Sequence, residues 1–281
     1  MGLTSAQVKG KIKSVAIKNN ADARLLLRIY MMNRFLERLA LSPYRDNFII
    51  KGGILVTSMV GVAMRSTMDI DTSIKNLNLD AENAQKIVSE IARIPLDDGV
   101  FFEVKRVSDI MDNFEYPGIR LELNALMGKM ITPIKIDIST GDIITPREIE
   151  YSYHLMIEDR EIKLWAYNLE TVLAEKLQTI LARDVFNTRM RDFYDVFVLM
   201  KLYRDDIDDK VLNEAFKATS QKRKSEFNHI GLQLEKISES KELQELWKQY
   251  QRKYTYVSNL SFENVMDSVK SSAKRISISE K

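Results

Sequence analysis

A glycine pair followed by two alternate carboxylates constrains this chain more than any other stretch. Lys51-Gly52-Gly53 is succeeded, about one helix later, by Arg65-Ser66-Thr67-Met68-Asp69-Ile70-Asp71. The pattern predicts a glycine turn, a short amphipathic helix, a loop, and a strand from Met68 to Ser73. Side chains alternate faces along a strand, so Asp69 and Asp71 share one face and Ile70 is buried behind them. If the extended conformation begins earlier, Arg65 and Thr67 join that face. Two neighbouring carboxylates raise each other's pKa unless a cation intervenes. Oxygen-only ligands suit hard Mg²⁺ (or Mn²⁺), usually held by one or two carboxylates plus substrate phosphates. Glycines let backbone N–H groups approach a phosphate closely at a helix N-terminus. These parts together describe a site for a nucleotide and a metal ion.

The rest of the chain is organised around that motif. From Ser5 to about Leu41 the apolar spacing predicts two helices broken near Asn19-Asn20, ended by Pro43. Phe48-Ile49-Ile50 reads as a buried strand that delivers the glycine turn. Asp80 is a plausible N-cap for a helix to about Arg93, which Pro95 terminates. Val100 to about Trp165 is strand-rich, with clean alternation in Ile119-Arg120-Leu121-Glu122-Leu123-Asn124. In Ile134-Lys135-Ile136-Asp137-Ile138-Ser139 the isoleucines share one face, which turns Asp137 to the other. Asp142, after Gly141, reads as a loop or capping residue. Two strands, Glu148 to Ile157 and Glu161 to Tyr167, form a hairpin across Glu158-Asp159-Arg160. Asn168 caps the first of roughly six helices from Leu169 to Ser272. The expected division is residues 1–167, a core lobe with N-terminal helices, and residues 168–281, a helical lobe.

Composition excludes several chemistries. The absence of cysteine removes disulfides, thiolate metal sites and thiol nucleophiles. His154 and His229 are the only histidines, too few for a His-rich metal centre. A formal charge of +2 offers no global pull toward nucleic acid, so RNA binding must rest on local patches. Lys222-Arg223-Lys224 and the Lys248–Lys253 stretch, with Trp247, Tyr250, Tyr254 and Tyr256, are the candidates, through phosphate contacts and base stacking. No apolar run reaches membrane-spanning length and no signal pattern opens the sequence, so the expectation is a cytoplasmic protein without a membrane partner.

Lys176 falls in the middle of an apolar stripe formed by Leu169, Val172, Leu173, Leu177 and Ile180. A lysine there must snorkel or meet an anion, because an unpaired buried charge is costly. That anion could be a triphosphate or a structural carboxylate. Asp192 and Asp195 lie three apart on a later helix, flanked by Val196 and Leu199. Ion pairs from Asp192 to Arg189, Arg183 or Lys176, or from Asp195 to Lys176, are open.

The glycine turn and Asp-x-Asp strand resemble the polymerase-β-type nucleotidyltransferase superfamily. With Lys135-Ile136-Asp137-Ile138-Ser139-Thr140-Gly141-Asp142, Leu173-Ala174-Glu175-Lys176-Leu177 and Arg191-Asp192-Phe193-Tyr194-Asp195, the chain is more closely similar to the AbiEii/AbiGii-type toxins of bacterial abortive-infection and toxin–antitoxin systems. The resemblance spans roughly Lys51 to Leu202. It departs from the pattern where members often carry Thr after the two glycines; here Ile54 follows, with Ser58 a helical turn further on. The resemblance implies an α+β (mixed) fold, a polymerase-β-like core with a mixed sheet, N-terminal helices and a C-terminal helical lobe. It implies a Mg²⁺-dependent toxin, active in phage defence, that transfers NMP from an NTP (GTP and CTP among the candidates) to RNA such as a tRNA 3′ end. A separately encoded antitoxin is the implied partner. The candidate catalytic residues are Asp69, Asp71, Asp137, Lys176 and Asp195. Asp69, Asp71 and Asp137 are the candidate metal ligands. Gly52, Gly53, Arg65, Thr67, Lys176 and Asp192 are the candidate nucleotide contacts. The alternatives are transfer to a small molecule or protein hydroxyl, and a non-catalytic nucleotide-sensing module.

Overall fold

The computed structural model describes residues 2–110 and 118–276. The chain divides into two compact units, residues 1–142 with 148–167, and residues 143–147 with 168–281.

The first unit begins with α1 (Ser5–Asn19), whose N-terminus carries a reciprocal Thr4–Gln7 capping box. The chain leaves α1 through Asn20, which adopts the left-handed conformation at φ 48°. Asparagine tolerates that region better than most residues, which is why the helical pattern breaks there. α2 (Ala23–Leu41) follows. It packs against the sheet and buries Met31, Met32, Phe35, Leu36 and Leu39. Two arginines are buried on the same helix. Arg38 clasps both oxygens of Asp98, at 2.7 and 2.9 Å, and also donates to the Val100 carbonyl. Arg34 pairs with Glu37 and Glu158.

Among the described residues, seven strands form one mixed sheet: β1 (Phe48–Lys51), β2 (Asp69–Ile74), β3 (Phe101–Ile110), β4 (Gly118–Met127), β5 (Met130–Thr140), β6 (Ile149–His154) and β7 (Glu161–Ala166). Their spatial order is β3-β4-β5-β2-β1-β7-β6. β2 lies parallel to β5 and antiparallel to β1. β1 in turn runs parallel to β7. The unit also holds α3 (Gly52–Val60), between β1 and β2, and α4 (Ala81–Ala92), capped by the Asp80 side chain. The mixed sheet with flanking helices is the fold class expected from the sequence, and the β6–β7 hairpin forms where the two alternating runs place it.

The condition that would have set Arg65 and Thr67 on the strand face is not met. β2 starts at Asp69, so Arg65 and Thr67 stand in the loop before it and are not on the strand face. The strand-rich reading from Val100 to Trp165 also covers residues 111–117, which lie outside the described residues.

The second unit is helical: α5 (Leu169–Arg183), α6 (Met190–Tyr203), α7 (Asp209–Lys222), α8 (Ile230–Glu239), α9 (Lys241–Lys253) and α10 (Phe262–Ala273). Asn168 caps α5 by accepting from the Thr171 N–H, and its amide donates to the carbonyls of Thr145 and Arg147. Its core gathers Leu173, Leu177, Phe193, Val196, Leu199, Trp247 and Val265.

Candidate active site

β1 ends at Lys51 and the chain turns into α3 through Gly52, at φ +58°. A side chain is excluded there on two counts. The left-handed backbone penalises any residue with a Cβ, and an added Cβ would sit 2.4 Å from the Asp71 Oδ2. The next glycine is as tightly enclosed, since a Cβ on Gly53 would meet the Thr67 hydroxyl at 2.6 Å and the Arg65 Nη1 at 2.8 Å. The close approach lets the Gly53 N–H donate to Asp71 Oδ2 at 2.9 Å. The glycine turn and the acidic strand are therefore joined directly.

Arg65 and Thr67 brace this turn from behind. Arg65 is buried, and its Nη1 donates to the Gly53 carbonyl, the Thr57 hydroxyl and the Ser66 carbonyl. Thr67 is buried too, and its hydroxyl donates to the Asp69 carbonyl. These bonds tie both residues into the geometry of the loop. Ile54 is wholly buried, while the Ser58 hydroxyl sits 3.1 Å from that of Tyr151.

Strand register assembles the charged groups. Lys51, Asp71, Asp137 and Arg120 are consecutive partners across β1, β2, β5 and β4. They form a row of charges in the order plus, minus, minus, plus. Asp69 sits two residues from Asp71 on the same face and is the partner of Lys135. At one end of the row Lys51 donates to Asp142 at 2.6 Å, and Ser139 donates to the same carboxylate oxygen at 2.7 Å. Burial acts to raise the Asp142 pKa. The Lys51 ammonium and the Ser139 and Tyr167 hydroxyls outweigh it and hold the carboxyl below its usual range. At the other end Arg120 grips Asp137 side-on, Nε to Oδ1 at 2.8 Å and Nη2 to Oδ2 at 2.6 Å. That pair raises the Arg120 pKa above its ordinary value.

Asp71 occupies the middle with no cation bonded to it in this row. Its carboxyl is pushed up to about 6, first by burial and then by the charges of Asp137 and Asp69, against the opposing pull of the Gly53 N–H and Lys51. Unneutralised negative charge on oxygen donors is what a hard divalent cation relieves, so the residues present fit the metal ion that such sites use. Among the described residues, no three His, Cys, Asp or Glu side chains stand ready as a metal cage. Asp137, expected as the third ligand, faces Arg120.

The candidate residues of the second unit form a network of their own. Lys176 on α5 donates to Asp192 at 2.6 Å and pairs with Asp195 at 3.2 Å, both on α6. Arg189 adds an ion pair to the other oxygen of Asp192 at 3.0 Å. Both carboxylates are buried. The carboxylate partners considered for Lys176 are thus the ones it has. The aromatics near the C-terminal basic stretch are used internally. Trp247 is buried and donates to the Leu260 carbonyl. Tyr250 and Tyr256 share a hydrogen bond at 2.9 Å, and Arg191 donates to the Tyr254 hydroxyl at 3.0 Å. Arg223 is held by Gln178, Thr179 and Glu175.

Arg120 and Lys51 are the site residues that the sequence reading left without a role. Alternation along β4 already turned Arg120 away from Ile119 and Leu121, toward the polar side. What the sequence lacked was the knowledge that β4 neighbours β5 in the register that sets Arg120 beside Asp137.

A mixed sheet bearing a glycine turn welded to an Asp-x-Asp strand, with a third carboxylate on the adjacent parallel strand, is the framework of a nucleotidyltransferase. The chain belongs to the AbiEii nucleotidyl transferase toxins of type IV toxin–antitoxin systems, whose family model matches residues 34–268. It is thus a nucleotidyltransferase of that toxin family. Two solved structures share the fold. JHP933 from Helicobacter pylori aligns over 90% of this chain and 91% of its own, with a TM-score of 0.54 and 15% identity. A second solved structure, of an H. pylori protein assigned provisionally to the nucleotidyltransferases, aligns over 90% and 94%, with a TM-score of 0.53 and 15% identity. At that identity the likeness is one of fold. No curated protein matches the chain in sequence.

Proposed function

We propose that this nucleotidyltransferase is a divalent-metal-dependent toxin that moves a nucleoside monophosphate from an NTP to a hydroxyl on RNA, such as a tRNA 3′ end, as part of a phage-defence system with a separately encoded antitoxin. The observation that carries the chemistry is the crowded acidic row. Asp71 is held by the Gly53 N–H, and Asp69 and Asp137 flank it without neutralising it. Mg²⁺ or Mn²⁺, when bound by Asp69 and Asp71, would supply charge neutralisation for phosphoryl transfer. The protein's own groups do the rest by positioning. Gly52 and Gly53 let the helix N-terminus close on Asp71, which sets its N–H groups beside the proposed path of the phosphate oxygens. Arg65 and Thr67 fix the loop that sets the turn against Asp69. Asp137 is the candidate acceptor for the attacking hydroxyl's proton, as the new O–P bond forms at the α-phosphorus and pyrophosphate departs. For Lys176 the family resemblance suggests the triphosphate, with Asp192 and Asp195 orienting the ammonium.

Incubation with each radiolabelled NTP, Mg²⁺ and total cell RNA tests this reading. Label in tRNA, lost in Asp69→Asn and Asp71→Asn, is the expected result. Label confined to protein or to small molecules would replace the acceptor, and label nowhere would overturn the reading.

A further inference from the structure

The Arg120–Asp137 pair has a geometry that the proposed chemistry does not require. A carboxylate meant to bind a cation or take a proton needs its inner lone pairs available. Both oxygens of Asp137 are instead engaged by the Nε–Nη2 edge of one guanidinium, the fork that matches a carboxylate best. The remainder of the row reinforces the arrangement. Asp71 is the register partner of Asp137 on the side away from Arg120, so the guanidinium partly balances two adjacent carboxylates. The Asp137 side chain is largely covered, whereas that of Arg120 is 36% exposed and has solvent beside it. Of the two partners, the arginine is the one with room to leave.

We propose that Arg120 is a built-in counterion that occupies Asp137 until substrate arrives, so that the acidic row loads metal and nucleotide together and binds free metal poorly. The inference rests on the proposed function, since it takes Asp137 to be part of the metal–nucleotide site. An incoming triphosphate offers the guanidinium a second partner of the same oxygen chemistry, and its departure opens both Asp137 oxygens. Arg120 is in this sense a positioning residue that acts through Asp137.

Binding of Mn²⁺ alone to nucleotide-free protein, followed by the paramagnetic signal of the free ion, provides a test independent of turnover. Wild type, Arg120→Gln, Arg120→Lys, Asp137→Asn, the Arg120→Gln/Asp137→Asn double variant and Asp71→Asn are compared, with circular dichroism confirming that each is folded. Arg120→Gln is expected to bind Mn²⁺ about tenfold more tightly than wild type, the scale of a charge-assisted pair removed. Arg120→Lys keeps the charge but cannot form the fork, and it should also bind more tightly than wild type. In the Asp137→Asn background the Gln substitution should bring no gain, because the coupling runs through that carboxylate. Unchanged or weaker Mn²⁺ binding in Arg120→Gln would overturn the counterion role. So would an Arg120→Lys protein identical to wild type, which would reduce the effect to net charge. Mn²⁺ binding that Asp71→Asn abolishes but Arg120→Gln leaves unchanged would reject this inference alone. No binding by any of the proteins, with or without NTP, would reject the metal site as well.

Discussion

Asp71 and Asp142 are half-buried carboxylates of opposite character, and they make opposite predictions. The folded pKa of Asp71, about 6, lies above the 3.8 of an unperturbed aspartate. Its contribution to stability is therefore fully present below the unfolded value and is lost as pH rises through 6. Without metal at pH 7.5, its ionisation should cost on the order of 2–3 kcal/mol relative to pH 4. Asp71→Asn keeps an acceptor for the Gly53 N–H and removes that charge. Melts of the metal-free proteins from pH 4 to 8 should show the variant gaining on wild type as pH rises, while transfer falls by at least about two orders of magnitude. A folded Asp71→Asn protein with near-normal transfer would reject the site. Asp142 is held below its usual range, so its contribution is present above the unfolded value and is lost as pH falls through the lower folded one. Lys51→Met should strand it and cost about 3–5 kcal/mol at pH 7. The deficit, read from denaturant midpoints, should shrink below pH 4 as the carboxyl takes up a proton. The alternation of β2 and β5 told from sequence which way Asp69, Asp71 and Asp137 face. The same reading left Asp142 as a loop residue, because its burial is set by Lys51, a residue 91 positions earlier.

At the scale of elements, local signals were the legible ones. The Asn20 break between α1 and α2, the Asp80 and Asn168 caps, and the β6–β7 hairpin all depend on residues a few positions apart, and each lies where the sequence put it. Which strands neighbour one another was not legible. β2 beside β5 and β1 beside β7 are pairings across long stretches of chain, chosen by the packing of whole faces. β2 starts one residue later than expected, and Arg65 and Thr67 lie outside it under either boundary. In the second unit the joint between α5 and α6 is electrostatic as well as apolar. Lys176→Met should leave Asp192 and Asp195 buried without its ammonium, lowering stability by about 3–5 kcal/mol. Adding Asp192→Asn and Asp195→Asn to that variant should recover a good part of the loss in thermal melts. A single variant that melts like wild type would show that the pair contributes little. If such a protein bound NTP weakly, the suggested triphosphate role of the lysine would gain its first direct support.

At the scale of the molecule, binding and folding are linked. A ligand that binds only the folded chain stabilises it by about 2.7 kcal/mol at a hundred times its Kd. Mg²⁺ with the correct NTP should therefore raise the melting temperature by about 5 °C or more. Asp69→Asn and Asp71→Asn should abolish the shift, and a screen of the four NTPs against this readout would reveal the base preference. Equal shifts in wild type and both variants would place the nucleotide elsewhere. The enclosure of Gly52 by Asp71 has a further consequence, one for genetics. Every amino-acid change that one base substitution can make in a glycine codon adds at least one carbon atom, and here that carbon lands on the Asp71 carboxylate, which the proposed chemistry uses. Cells selected for escape from this toxin should therefore gather missense alleles at codon 52 whose products still accumulate as folded, inert chains.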